Sequence, residues 1–334
     1  KDGEEIKFSI DGTTTFDGNW DTENPYSNNN NWDTETKTYT NNITLSSSAA
    51  NGKDRYGNIS YGLKLSGELT DVNFVNNGSV IGIIVPSGYG YGIYNSGTMG
   101  NIENAGVISG TGSGPGSGIY NLGTMGNITN TGIINGSFDS SVGFGNGNGI
   151  YNYNSTKIGD ITNTGVISAS TNGSGASNGY GINNSASATM GNITNAGVVS
   201  GYGSAVGYGI YNEGNEIGNI ANTGIISGSG TGKGYGIVNG GIGSEITTIT
   251  NTGVIYGKTN TIENNEDATI DTVDNYGILA TDGDDIISNS GNMTGTENNY
   301  GMYIGKDGEI TVDNDRSNDK PIEVVVGYDK DGNG

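Results

Sequence analysis

The sequence predicts an all-β chain: a parallel β-helix, or β-solenoid, of roughly 9–10 irregular rungs with an N-terminal cap. Three observations carry this. The stretch 92–110 (Gly-Ile-Tyr-Asn-Ser-Gly-Thr-Met-Gly-Asn-Ile-Glu-Asn-Ala-Gly-Val-Ile-Ser-Gly) recurs, degraded but legible, from about residue 61 almost to the C-terminus. Read with a period of two, Ile93, Asn95, Gly97 and Met99 share one parity and Ile102, Asn104, Gly106 and Ile108 the other, as strand faces do. Finally, only 31% of the 334 residues are hydrophobic while 63 are Gly. Stacked rungs can tolerate this, because each needs only a thin apolar stripe.

The parity changes across Gly100-Asn101, so the unit reads as two short strands joined by one bend at that dipeptide. Residues 1–60 differ from the rest and read as a capping region, with Trp20 and Trp32 plugging the end of the stack. Residues 61–314 are the repeats. Their first strands centre on Ile93, Ile119, Ile150, Ile182, Ile210, Ile237 and Ile262, and their second on Ile102, Ile128, Ile161, Ile193, Ile220, Ile249 and Val273. Asn holds a fixed place in both halves, at Asn95, Asn121, Asn152 and at Asn104, Asn130, Asn163 for example. Stacked at ~4.8 Å, such columns become amide ladders that need no outside partner. Residues 315–334, with Ile322, Val324 and Val326, read as a continuing strand and the truncated end of a longer solenoid, without a capping segment.

Length varies mainly in the link between the second strand and the next first strand. Insertions at one repeat position emerge on one side, so loops 111–117, 137–148 and 170–179 should line one edge. Phe138, Phe144, Asn146 and Asn172 in these loops are candidate binding residues. Tyrosine outnumbers phenylalanine 20 to 5. By parity Tyr94, Tyr120, Tyr151 and Tyr211 point outward and should stack into a stripe, interrupted by Asn183 and Val238. Stacking for stability accounts for such a stripe, and so does a contact surface for protein or glycan.

Composition removes several chemistries. The chain has no Cys and no His, which excludes disulfides, thiol nucleophiles, Ser-His-Asp machinery and His-based metal sites. A net charge of −22 makes nucleic acid and anionic membrane poor partners. No apolar run is long enough to span a membrane. Between residues 87 and 257 the only acids are Glu103, Asp139, Asp160, Glu213, Glu216 and Glu245, with no pair across rungs to serve a glycosidase. The chain is therefore expected not to be an enzyme, and no cofactor is expected. Thr-Asn-Thr triplets at 129–131, 162–164 and 250–252 are read as β-branched residues on an exposed face, since the ranks they form are broken. Asp329, Asp331 and Asn333 match the opening of a calcium loop without its closing Glu, so Ca²⁺ is only weakly supported.

The motif Gly-x-Ile-x-Asn-x-Gly-x-Ile-x-Gly, at 100–110, 126–136 and (with Val199) 191–201, resembles the repeats of autotransporter passenger domains, with filamentous-haemagglutinin-like exoproteins second. The resemblance implies a right-handed helix, secreted to a Gram-negative cell surface and anchored through a C-terminal β-barrel that is absent here. It implies an adhesin that binds a host or bacterial surface protein or glycan. A passive spacer or self-associating rod is the alternative, and a carbohydrate-active enzyme a more remote one.

Overall fold

The computed structural model describes residues 9–11, 32–33, 35–48, 50, 52–54, 57–84, 87–139, 144–173 and 175–312. Trp20, the Trp32 side chain, residues 315–334 and the calcium-loop residues Asp329, Asp331 and Asn333 lie outside the described residues. The described chain is a β-solenoid of about nine turns. Each turn lays one strand on each of three parallel sheets, the second sheet receiving two short pieces. In one turn, Tyr89–Asn95 belongs to the first sheet, Thr98–Met99 and Ile102–Asn104 to the second, and Val107–Gly112 to the third.

The corners differ from the sequence reading. Gly100-Asn101 only interrupts the strand, inside the second sheet, between the pieces Thr98–Met99 and Ile102–Asn104. The turns from sheet to sheet fall at Asn95-Ser96-Gly97 and Asn104-Ala105-Gly106. Parity could not reveal them, because an Asn-x-Gly corner returns the next inward residue in step. The Asn side chain builds the corner itself. Asn95 Oδ1 accepts from Gly97 N at 3.2 Å, and Asn95 Nδ2 donates to Gly97 O at 3.2 Å. Gly is required beyond the Asn because a Cβ at Gly97 would collide with the carbonyl oxygen of Gly67 one turn earlier.

The two Asn columns form continuous ladders. From Asn95 to Asn289, each Nδ2 donates to the Oδ1 of the next turn at 2.7–3.0 Å. From Asn41 to Asn299 the spacing is 2.7–2.8 Å. A third, exposed ladder runs beside them. The Oδ1 atoms of Asn73, Asn101, Asn127, Asp160 and Asn192 each accept the backbone N–H of the corresponding residue in the next turn at 2.7–2.9 Å. Asp160 thus continues this ladder at the break inside the second sheet, between Lys157–Ile158 and Ile161–Asn163, and not at a corner between sheets.

Between the Asn columns stand four apolar columns, led in one turn by Ile93, Met99, Ile102 and Ile108, all buried and in register with their counterparts in neighbouring turns. Away from this core the first and third sheets converge until glycine backbones interleave. A Cβ at Gly110 would collide with the carbonyl oxygen of Ser117, and one at Gly116 with that of Ser137. The cross-section is therefore a wedge, thick at the second sheet and thin where third-sheet strands pass to the first.

Stacking begins before residue 61. Thr38–Asn41 lies parallel on Asn73–Asn76, and Thr44–Ser47 on Ser79–Ile84, placing Tyr39 over Phe74 and Leu45 over Val80. At the other end, Ile310–Val312 returns antiparallel on Met302–Ile304 after the 3₁₀ turn Lys306–Gly308. The third sheet thus gains an antiparallel strand, where sequence reading expected parallel repeats up to residue 314.

Asn163 sits mid-ladder, fully buried, bonded to Asn130, Asn195, Gly165 O and Val198 O. Asn163→Ala should lower stability by about 2–4 kcal/mol in denaturant titrations, because it orphans buried partners on both sides. The exposed neighbour Thr164 should tolerate Ala within about 0.5 kcal/mol.

Candidate interaction surface

Tyrosines occupy two rows, not one, on the outer face of the first sheet. In register, one row reads Tyr61, Tyr91, Ser117, Asn148, Tyr180, Tyr208, Tyr235, and the other Lys64, Tyr94, Tyr120, Tyr151, Asn183, Tyr211, Val238. Residues three apart share a face because the intervening Gly (Gly92 in Tyr91-Gly92-Ile93-Tyr94) is left out of the pairing, as are Gly62 and Gly118 opposite it in the neighbouring turns. A Cβ on Gly92 would clash with Ile108 and Ser109 of the third sheet, so no other residue fits there. The recurring Gly-Tyr-Gly-Ile-Tyr was the available signal.

The rows interlock. Ser117 and Asn148 leave room where the second row has Tyr120 and Tyr151. The Tyr91 and Tyr120 rings stack at 4.7 Å, and those of Tyr120 and Tyr151 at 5.3 Å. Beyond Asn183 a second group forms, with Tyr180 and Tyr208 at 4.8 Å and 3° between planes. Each such pair adds about 0.5–1.5 kcal/mol beyond burial. Stacking takes up faces of Tyr91, Tyr120, Tyr180 and Tyr208, whereas Tyr211 meets Tyr180 and Tyr208 tilted by 53° and 54°, and Tyr94, Tyr151 and Tyr211 are half-buried. Tyr120 is only 7% exposed, which corrects its reading as a contact residue: it holds up its neighbours.

The elastic links do gather on one edge, since Gly112, Phe138, Thr171, Gly203 and Gly230 end strands aligned in the third sheet. Two long links support each other: Gly145 N donates to Ser177 Oγ at 3.3 Å, and Asn178 N to Asn146 Oδ1 at 3.4 Å. Phe144 stands 78% exposed on this edge and Asn172 is exposed beside it, while Asn146 is half-buried. Phe138 is 1% exposed, wedged against Gly145 and Gly173, where a Cβ would strike its ring. It anchors the loops, which corrects the expectation that it meets a partner. Because first-sheet strands begin directly after these loops, the loop edge and the tyrosine band adjoin.

The acids are arranged differently from the sequence reading in one place. Glu216 aligns with Glu245 of the next turn on the second sheet, both exposed, so a cross-turn carboxylate pair does exist. It lies on an open sheet face. Asp282 Oδ2 accepts from Tyr256 Oη at 2.8 Å, and Asp284 pairs with Lys306 at 3.0 Å, along a shallow cleft of ≈ 450 Å³. Among the described residues no group of three or more His, Cys, Asp or Glu is placed to share a metal ion. The Thr129, Thr162 and Thr194 rank spans three turns between Glu103 and Ala221. No described helix is long and apolar enough to cross a membrane, which says nothing of a β-barrel. Compared with known proteins, the chain matches no family model, no curated protein and no solved structure.

Two outcomes are expected. Glu245→Gln should raise stability by about 0.2–1 kcal/mol by relieving like-charge repulsion from Glu216, measured at low salt. Burial, reinforced by neighbouring phenols and by Glu213 or Glu263, pushes the hydroxyls of Tyr151, Tyr208 and Tyr211 well above the usual phenol value, and burial takes Tyr39 up to about 12. The native state then holds these protons where the unfolded chain releases them. Their contribution to stability should be intact below pH ~10 and fall as pH rises further. Denaturation midpoints and phenolate absorbance measured across that range check this; band tyrosines ionising at the free-phenol pH in the folded protein would contradict it.

Proposed function

We propose that the protein is a non-catalytic interaction protein of the bacterial cell surface, an adhesin of the autotransporter-passenger type. It presents the loop edge and the adjoining tyrosine band to a host or bacterial surface protein or glycan. The observation that carries the reading is their continuity: Phe144, Asn146 and Asn172 stand beside an aromatic face held rigid from below by the ladders. Tyrosine offers large amphipathic area at low entropy cost, which suits recognition. The cell-surface setting and an anchor beyond this chain rest on the repeat resemblance alone, and the reading needs no cofactor.

The test is a glycan and cell-surface binding screen with the full chain, followed by two variants. One carries Tyr94→Ala, Tyr151→Ala and Tyr211→Ala; the other shortens the loop at 139–146. At least one should weaken binding about tenfold or more, as loss of anchor residues does, with strand content unchanged by circular dichroism. Binding unaffected in both would sink the assigned surface, and product release from an acidic glycan would overturn the non-catalytic reading.

A further inference from the structure

The tyrosine band is broken at one residue. In the second row Asn183 stands in register between Tyr151 on the turn before and Tyr211 on the turn after. Its side chain is smaller than theirs, so the row has a gap there. Asn183 is only 5% exposed, and its amide must find partners within the protein. Nδ2 donates to Asn148 Oδ1 at 3.1 Å, and Asn148 Nδ2 donates to Ser117 Oγ at 3.3 Å, a relay running back along the axis. Asn183 Oδ1, on the far side of the amide from Asn148, is buried and has no hydrogen-bond partner. An acceptor left unmet in this way destabilises the empty site and rewards any donor that reaches it.

The groups around the gap are acceptors and rings. Ser185, two residues on and facing the same way, already gives its proton to Glu213, Oγ to Oε2 at 3.4 Å. Glu213 is exposed, and the ion pairs among the described residues, Lys37 with Asp71 and Lys306 with Asp284, leave it out. Burial first, and the Glu213 charge in addition, push up the phenols of Tyr151, Tyr180 and Tyr211, so its field reaches all three rings. Tyr211 meets Tyr180 and Tyr208 tilted, so neither neighbour is stacked on its face. It is the ring best placed to swing aside and admit a group.

We infer that this gap binds a primary alkylammonium group, as a lysine side chain of a partner protein carries. The unmet features all call for the same ligand. Tyrosine faces attract cations, Glu213 supplies the opposite charge, and an N–H donor answers Asn183 Oδ1. A quaternary ammonium has no N–H and leaves that oxygen unmet. A carboxylate or phosphate is repelled, and a sugar hydroxyl donates but makes no use of the charge. The net charge of −22 draws basic partners toward the chain in general, whereas the gap gives one ammonium a defined seat. The choice of a protein partner rests on the proposed interaction role and deepens it; binding of the ammonium itself does not depend on that role.

The probe is n-butylammonium, which copies the end of a lysine side chain. Titrated into the full chain at low salt, it should bind with a Kd on the order of 1–10 mM and shift the Asn183 side-chain amide signals in NMR spectra. Tetramethylammonium, lacking an N–H, and n-butanol, lacking the charge, should each bind about tenfold more weakly or worse. Glu213→Gln, at an exposed position that should not disturb folding, should weaken binding about fivefold or more and reduce its salt dependence. Glu103→Gln removes the same charge on the second sheet, several turns away, and should change little. Asn183→Tyr fills the gap with the residue that the row carries on either side and should weaken binding about tenfold or more, with strand content unchanged. No binding of n-butylammonium well above that concentration range, equal binding of n-butanol, tighter binding of tetramethylammonium, or undiminished binding in Glu213→Gln would each overturn the inference; equal binding of n-butanol would point to a glycan instead. Such a failure leaves the adhesive surface standing, because the loop and triple tyrosine variants test that surface on cells. Conversely, cell binding that survives both of those variants removes the adhesive surface and leaves the ammonium site in place.

Discussion

Asparagine amides bonded along the axis govern this molecule. A buried primary amide has donors and acceptor to satisfy, and each Asn in the ladders does so with the next turn and its own corner: Asn104 Nδ2 reaches Asn130 Oδ1, Gly106 O and Ile133 O. The corner and the register are thus set by one side chain. If a turn slipped by one residue, Asn would face an apolar neighbour and its buried amide would lose its partners. The ladder is a register lock as well as a source of stability, and it relieves the apolar columns of specifying alignment. All the inter-amide donors point toward the C-terminal end, so neighbouring dipoles reinforce one another.

From that register follow the surfaces. Once turns align, any outward position becomes a column, and the chemistry of a column is decided by which residue repeats there. The glycine that lets the first and third sheets converge also throws Tyr91 and Tyr94 to the same side. The aromatic band is therefore a by-product of thin packing. The longest insertions fall at the corner where the ladders are absent; shorter ones follow Asn152, Asn184 and Asn239, where Asn184 and Asn239 bond Ala188 O and Ser244 O and keep their bonds to the next turn.

Much of this was legible from residues alone. The columns, the ladders and the common edge for the elastic links all follow from spacing, because a stacked repeat converts sequence position directly into spatial position. What escaped did so for specific reasons. The corners at Asn95 and Asn104 preserve parity and so leave no trace in a period-two reading. The doubled tyrosine row depends on the unpaired glycines at Gly62, Gly92 and Gly118, which parity counting cannot represent. The Glu216–Glu245 alignment escaped because the turn from Asn212 to Glu216 is shorter than that from Asn239 to Glu245, so spacing alone does not bring the two together. Burial of Phe138 depends on how two loops fold over it, which no spacing rule describes.

Turns along the first ladder contain between 25 and 32 residues, yet each ends by offering the same amide to the next. Every interface between turns is thus interchangeable in its essential chemistry. A gene segment encoding one turn could be copied or lost, and the neighbours would still meet a matching amide and matching apolar columns. Such a molecule works as a ruler. Its reach changes in steps of ~4.8 Å, independently of which residues it displays along its sides.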